Sequence, residues 1–102
     1  MIPENRIPTH PGQILLEEFL LPLEVTPATL AKHIGVPLTH ISEIVQAERG
    51  VTPRMAWLFA QALGTSPEFW NNLQSAYDLA KSHPKRQVQR LQEAAWLHPA
   101  YA

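Results

Sequence analysis

A chain of 102 residues holds one hydrophobic core and is too short for two ordinary domains; at 45% hydrophobic and 17% charged it lies outside the range of disordered chains. It contains no cysteine, which excludes disulfides and thiolate metal sites. No apolar run has membrane-spanning length, and "MIPENRIPTH" lacks the basic and apolar regions of a secretory leader, so a cytoplasmic protein is expected. The formal net charge of −1 hides a gradient. Up to Glu24, Arg6 stands against Glu4, Glu17, Glu18 and Glu24, net −3, whereas residues 25–65 and 66–102 each come to +1. An acidic beginning joined to a mildly basic remainder permits one face for a cationic partner and another for an anionic one.

Ten prolines punctuate the chain. Five of them follow His10, Thr26, Val36, Thr52 and Ser66, and each precedes an apolar-periodic run. Proline at the first helical position gives up no hydrogen bond, and a preceding Thr or Ser can cap, so the pattern predicts five helices. Ile14, Leu15, Leu16, Phe19, Leu20 and Leu23 cover more than one stripe of the first. Leu30, Ala31 and Ile34 mark the second; Ile41, Ile44 and Val45 the third; Met55, Leu58, Phe59, Ala62 and Leu63 the fourth; Phe69, Trp70, Leu73, Ala76, Tyr77 and Ala80 the fifth. Gly35, Gly50 and Gly64 fall just past the second, third and fourth runs, where a left-handed residue can close a helix. With no convincing alternation of period two, the fold class is all-α. Beyond Pro84, Val88, Leu91 and Ala95, with Trp96 and Leu97 adjoining, predict a sixth helix of about three turns. Its cations oppose the helix dipole at its start, so it needs a packing partner, and the segment is either a frayed tail or a dimer arm. The chain thus divides into a domain over residues 1–81 and an extension over 82–102.

The second and third helices fit a helix-turn-helix. Ala31 is small where the helices cross, Gly35 occupies the turn, and Val36, Ile41 and Ile44 supply the apolar contacts that fix the angle. One helix before the unit and two after it match compact five-helix DNA-binding domains of the phage-repressor type. With this frame, "NRIPTHPGQILLEEFLLPL", "GVPLTHISEIVQAERGVTP" and "ALGTSPEFWNNLQSAYDL" resemble the successive landmarks of HigA-type antitoxins, a branch of the Xre-like helix-turn-helix proteins. The resemblance runs from about Ile2 to Leu79. It implies a dimer that binds and neutralises an mRNA-cleaving toxin of the RelE type and represses its own operon at a palindromic operator. The chain departs from the family pattern at positions 38 to 40, where members commonly carry Arg or Asn and this sequence reads Leu38, Thr39, His40. The alternatives are a stand-alone transcriptional regulator and a protein-interaction module without DNA binding.

If Ile41 and Ile44 point inward, Leu38, Thr39, Ser42, Glu43 and Gln46 form the major-groove face of the third helix. Leu38 and the Thr39 methyl can meet thymine methyls, Glu43 can accept from cytosine N4 and Gln46 can reach adenine. Such a helix has no arginine with which to seize guanine. Phosphate contacts fall to Arg49, Arg54, Lys32 and the capped N-termini at Thr26 and Thr52, with His40 at the flank. A histidine that titrates near pH ~6.5 beside a phosphate makes operator binding tighten on acidification, with His33 a weaker contributor. Trp70, Tyr77, Trp96 and Leu97 are expected at the dimer interface, and Glu17, Glu18 and Glu24 toward a basic toxin. Enzymatic activity is not expected: the five histidines show no metal-ligand spacing, no glycine-rich phosphate loop occurs, and adjacent Glu17 and Glu18 splay about 100° apart on a helix. No cofactor, metal, membrane or small-molecule substrate is implied.

Overall fold

The computed structural model describes residues 8–91, which form five helices and no strand. The first, α1, spans residues 11–23 and is not uniform: an α-helical turn at Pro11–Ile14 passes into a π-helical stretch at Leu15–Leu20, and a last turn at Leu21–Leu23 ends with Glu24 left-handed at φ 56°. Pro22 explains the wide turn. It has no N–H to donate, and in an α-helix its ring would press on the carbonyl of Glu18 four residues back. Instead the Leu21 N–H reaches the Leu16 carbonyl, five residues away. The widened repeat lets Leu15 and Leu20, five apart, both point into the core, where neither retains any exposure.

Next come α2, Pro27–Ile34, and α3, Leu38–Val45, then α4, Pro53–Leu63, and α5, Pro67–Lys81. Four of the five proline signals act as expected. Thr26, Thr52 and Ser66 each accept the N–H three residues on, at 3.1, 3.2 and 3.1 Å. His10 caps with its ring one residue closer, its Nδ1 accepting from the Gly12 N–H, two residues on, at 2.9 Å. At α3 the pattern shifts by one position: Pro37 is itself the N-cap and Leu38 the first helical residue, so no side chain caps this helix. Gly35 and Gly64 close α2 and α4 at φ 77° and 75°, a region that costs a residue with a Cβ about 1–2 kcal/mol.

Gly50 does not close α3. Ala47 takes the left-handed position at φ 62°, with the Ala47 N–H on the Ile44 carbonyl and the Glu48 N–H on the Glu43 carbonyl. Gly50 serves close approach instead, since a Cβ there would crowd the Gln74 side chain at 3.1 Å.

The core joins Leu15 and Leu20 of α1, Leu30 and Ala31 of α2, Ile41 and Ile44 of α3, Met55, Ala56 and Phe59 of α4 and Trp70 of α5. Trp70 is its centre. Its ring lies 5.0–5.4 Å from those of Phe69, Phe59 and Phe19, and its Nε1–H donates to Thr65 Oγ1 at 2.7 Å. This corrects the expectation that Trp70 belongs to a dimer interface: with 0% exposure it has no surface to offer. A five-helix domain of this size needs one large side chain where α1, α4 and α5 meet, and Trp70 fills that place. Residues 83–91 form no helix and Val88 and Leu91 stand exposed, so the sixth helix expected beyond Pro84 does not begin in this stretch. Its first turn would set Lys85 and Arg86 against the dipole, with none of the described residues packed beneath. The remainder of that segment, with Trp96 and Leu97, lies outside the described residues.

Candidate nucleic-acid interface

The helix-turn-helix forms as the spacing requires. The N–H groups of Gly35 and Val36 both donate to the Ala31 carbonyl, at 2.9 and 3.0 Å, turning the chain sharply between α2 and α3. Ala31, Ile41 and Ile44 are buried, and Val36 inserts at the turn. The third helix is also braced from behind by Gly12 of α1. A Cβ added there would overlap the Ile44 carbonyl, so only glycine lets α1 lie this close to α3. The "THPG" stretch therefore has two jobs, His10 capping α1 and Gly12 seating α3. The helix start at Pro11 is legible in the sequence and the seat is not, because close approach of two backbones leaves no periodic signature.

With its apolar side fixed, α3 turns Leu38, Thr39 and Gln46 to solvent, with Ser42 and Glu43 half-buried beside them. These are the five residues expected to face the groove, on one helix face. Leu38 is 48% exposed at the first helical position, a large apolar side chain left half-open to solvent. His40 is half-buried at the flank, and His33 exposed on α2. Lys32, Arg49 and Arg54 are exposed. Thr26 is exposed too, but its hydroxyl is engaged, accepting from the Thr29 N–H and lying 2.9 Å from Thr29 Oγ1.

Arg49 is not free-standing. Its Nε donates to Glu43 Oε1 at 2.8 Å, so the loop after α3 folds back on the exposed face of that helix. A second brace holds the far side of the loop. Gln74 of α5 accepts the Val51 N–H on Oε1 at 2.7 Å and donates through Nε2 to Asp78 Oδ1 at 2.9 Å. Gln74 was not legible as a site residue. The close approach of Gly50 to it is the only trace it leaves, and that trace reads in sequence as a helix stop.

Behind the loop lies an open cleft of about 440 Å³ walled by His10, Arg49, Gln74, Tyr77, Asp78 and Lys81. Tyr77 is half-buried here, edge-on to the His10 ring with centroids 4.7 Å apart, and Lys81 Nζ sits 5.3 Å from its ring centre. Burial pushes the His10 imidazole below its ordinary value; Asp78 raises it and Lys81 lowers it by smaller amounts. The hydrogen bond to the Gly12 N–H requires an unprotonated Nδ1 and acts in the same direction.

The fold and this exposed third-helix face define a helix-turn-helix protein, and comparison with known proteins agrees: the helix-turn-helix family model matches residues 16–70. Virulence-associated protein I of Dichelobacter nodosus is 38% identical over 85 residues, which cover 82% of this chain and 79% of that protein. The antitoxin HigA-1 of Vibrio cholerae is 36% identical over 98 residues, covering 95% and 88%. Among solved structures, the Pseudomonas aeruginosa antitoxin HigA with the higBA promoter superposes with a TM-score of 0.73 at 41% identity, covering 74% of this chain and 83% of that one. The chain belongs to the helix-turn-helix family, in its HigA-like antitoxin branch.

Proposed function

We propose that this protein is an antitoxin that binds the operator of its own operon through α3, acts there as a dimer and neutralises a basic, RNA-cleaving toxin of the RelE type. One observation carries the DNA-binding part: a third helix seated from behind by Ile41, Ile44 and Gly12, which turns Leu38, Thr39, Ser42, Glu43 and Gln46 outward together on one face. Leu38 and Thr39 present methyl groups to thymines, Gln46 an amide to adenine. Lys32, Arg54 and the capped N-termini at Thr26 and Thr52 supply the backbone contacts that set register. The solved HigA relative bound to promoter DNA supports this reading.

Dimerisation follows from the palindromic sites that such domains read, with reading helices about 34 Å apart. With Trp70 internal, the contact is assigned to α4. There Trp57 is 58% exposed beside Pro53, Pro67 and Glu68, in a shallow cleft of about 110 Å³. Arg54 stands one turn before Trp57 on the same helix, so the patch adjoins a cation assigned to phosphate, and a second copy brought to the neighbouring half-site is its proposed occupant. The toxin falls to the acidic side of α1, where Glu17, Glu18 and Glu24 are exposed alongside Leu21 and Leu23. Among the described residues no helix is long and apolar enough to cross a membrane, which suits action in the cytoplasm.

The test is an electrophoretic mobility shift with the DNA upstream of this protein's own gene. The expected result is a specific complex that unrelated DNA of equal length competes away only at about a thousandfold excess or more. Equal competition by the two DNAs contradicts the proposal.

A further inference from the structure

The outward face of α3 contains no cation of its own, and its one charged residue is a carboxylate. An unpaired carboxylate approaching the groove meets two rows of phosphates, so Glu43 alone would oppose binding. The loop solves this. After the left-handed turn at Ala47 the chain doubles back, and Glu43 holds it twice: its carbonyl accepts the Glu48 N–H at 2.8 Å, and its carboxylate accepts the Arg49 Nε–H at 2.8 Å. Both side chains keep substantial exposure, 44% for Arg49 and 40% for Glu43. A guanidinium bound through Nε leaves its two Nη nitrogens, four N–H donors in one plane, for another acceptor.

We propose that Arg49 reads a guanine through its Nη nitrogens, at O6 and N7, with Glu43 as the positioning residue that brings the guanidinium onto the reading face. The inference rests on α3 being the DNA-facing helix, and it supplies from the following loop the arginine that positions 38 to 40 lack. A contact to phosphate alone needs only positive charge, which lysine provides equally well. Lysine also reaches guanine O6 and N7, but through one freely rotating ammonium; the planar fork offers two donors in a set geometry, and it is directional only when something fixes it. Glu43 does so on one side, while the bond from the Val51 N–H to Gln74 fixes the loop on the other.

Fluorescence anisotropy with the full chain and its upstream DNA tests this, each guanine being replaced in turn by 7-deazaguanine, which lacks the N7 acceptor. For the parent, one guanine per half-site should show a loss of about five- to a hundredfold. Arg49→Ala, which leaves nothing to donate to N7, should bind substituted and unsubstituted DNA alike. Glu43→Gln should shrink the 7-deazaguanine penalty at that same guanine and leave the salt slope unchanged. The proposal is overturned if Arg49→Ala retains the full penalty, or if the parent shows none at any guanine and Arg49→Gln lowers the salt slope by about one, the mark of a lost phosphate contact. Equal parent affinity for upstream and random DNA would instead remove the DNA-facing role of α3, and the proposal with it.

Discussion

One histidine ties the stability of the fold to pH. His10 is buried and uses an unprotonated Nδ1 to cap α1, and its pKa lies below the ordinary value of 6.5. Its contribution to stability is complete above that ordinary value. Below it the unfolded chain takes up a proton that the folded chain resists, so stability falls as pH falls. Urea unfolding at pH 7.5 and 5.5 should show the midpoint dropping in acid, and His10→Asn, which keeps a capping acceptor without the titration, should flatten that dependence. An unchanged dependence in the variant would move the acid sensitivity elsewhere.

At the scale of elements, the sequence announced each helix by a proline and a periodic apolar run, and all five form. Ala31, Gly35, Val36, Ile41 and Ile44 take the places the motif assigns them, because each is fixed by local geometry that recurs wherever two short helices cross. What escaped depends on contacts between elements distant in sequence. The π-helical stretch of α1 follows from Pro22, a visible signal whose effect depends on Leu15 and Leu20 both finding room in the core. The end of α3 was assigned to Gly50, yet Ala47 turns left-handed while Gly50 gives way to Gln74 from α5, 24 residues later. Ala47 therefore carries strain that glycine would not. Ala47→Gly should raise the unfolding free energy by up to about 1 kcal/mol, offset in part by the greater freedom of glycine in the unfolded chain. Denaturant titration at constant m-value measures it, and a destabilised variant would show that the Ala47 conformation is unstrained.

For the molecule as a whole, the charge gradient read from the sequence becomes two regions, the acidic exposed side of α1 and the exposed cations Lys32, Arg49 and Arg54 that flank α3, the helix proposed to face DNA. The assignment of Trp70 to an interface shows why whole-molecule features are the least legible. Its spacing on α5 is the same whether the stripe packs inward or outward, and only the meeting of Phe19, Phe59 and Phe69 around it decides. Charge reversal of Glu17 and Glu18 to lysine should weaken toxin binding at least tenfold and leave operator affinity within about twofold, since such charges govern encounter with a basic partner; unchanged toxin affinity would place that partner elsewhere. The claim that joins the two regions to a function is paired reading of an operator. Hydroxyl-radical footprinting on the upstream DNA, with the parent and with Trp57→Glu, tests it most directly. The account predicts two protected patches whose centres lie one helical turn, about 34 Å, apart for the parent, and their joint loss when Trp57 is replaced at the same protein concentration. A single protected patch, or two patches that persist undiminished in the variant, would contradict it.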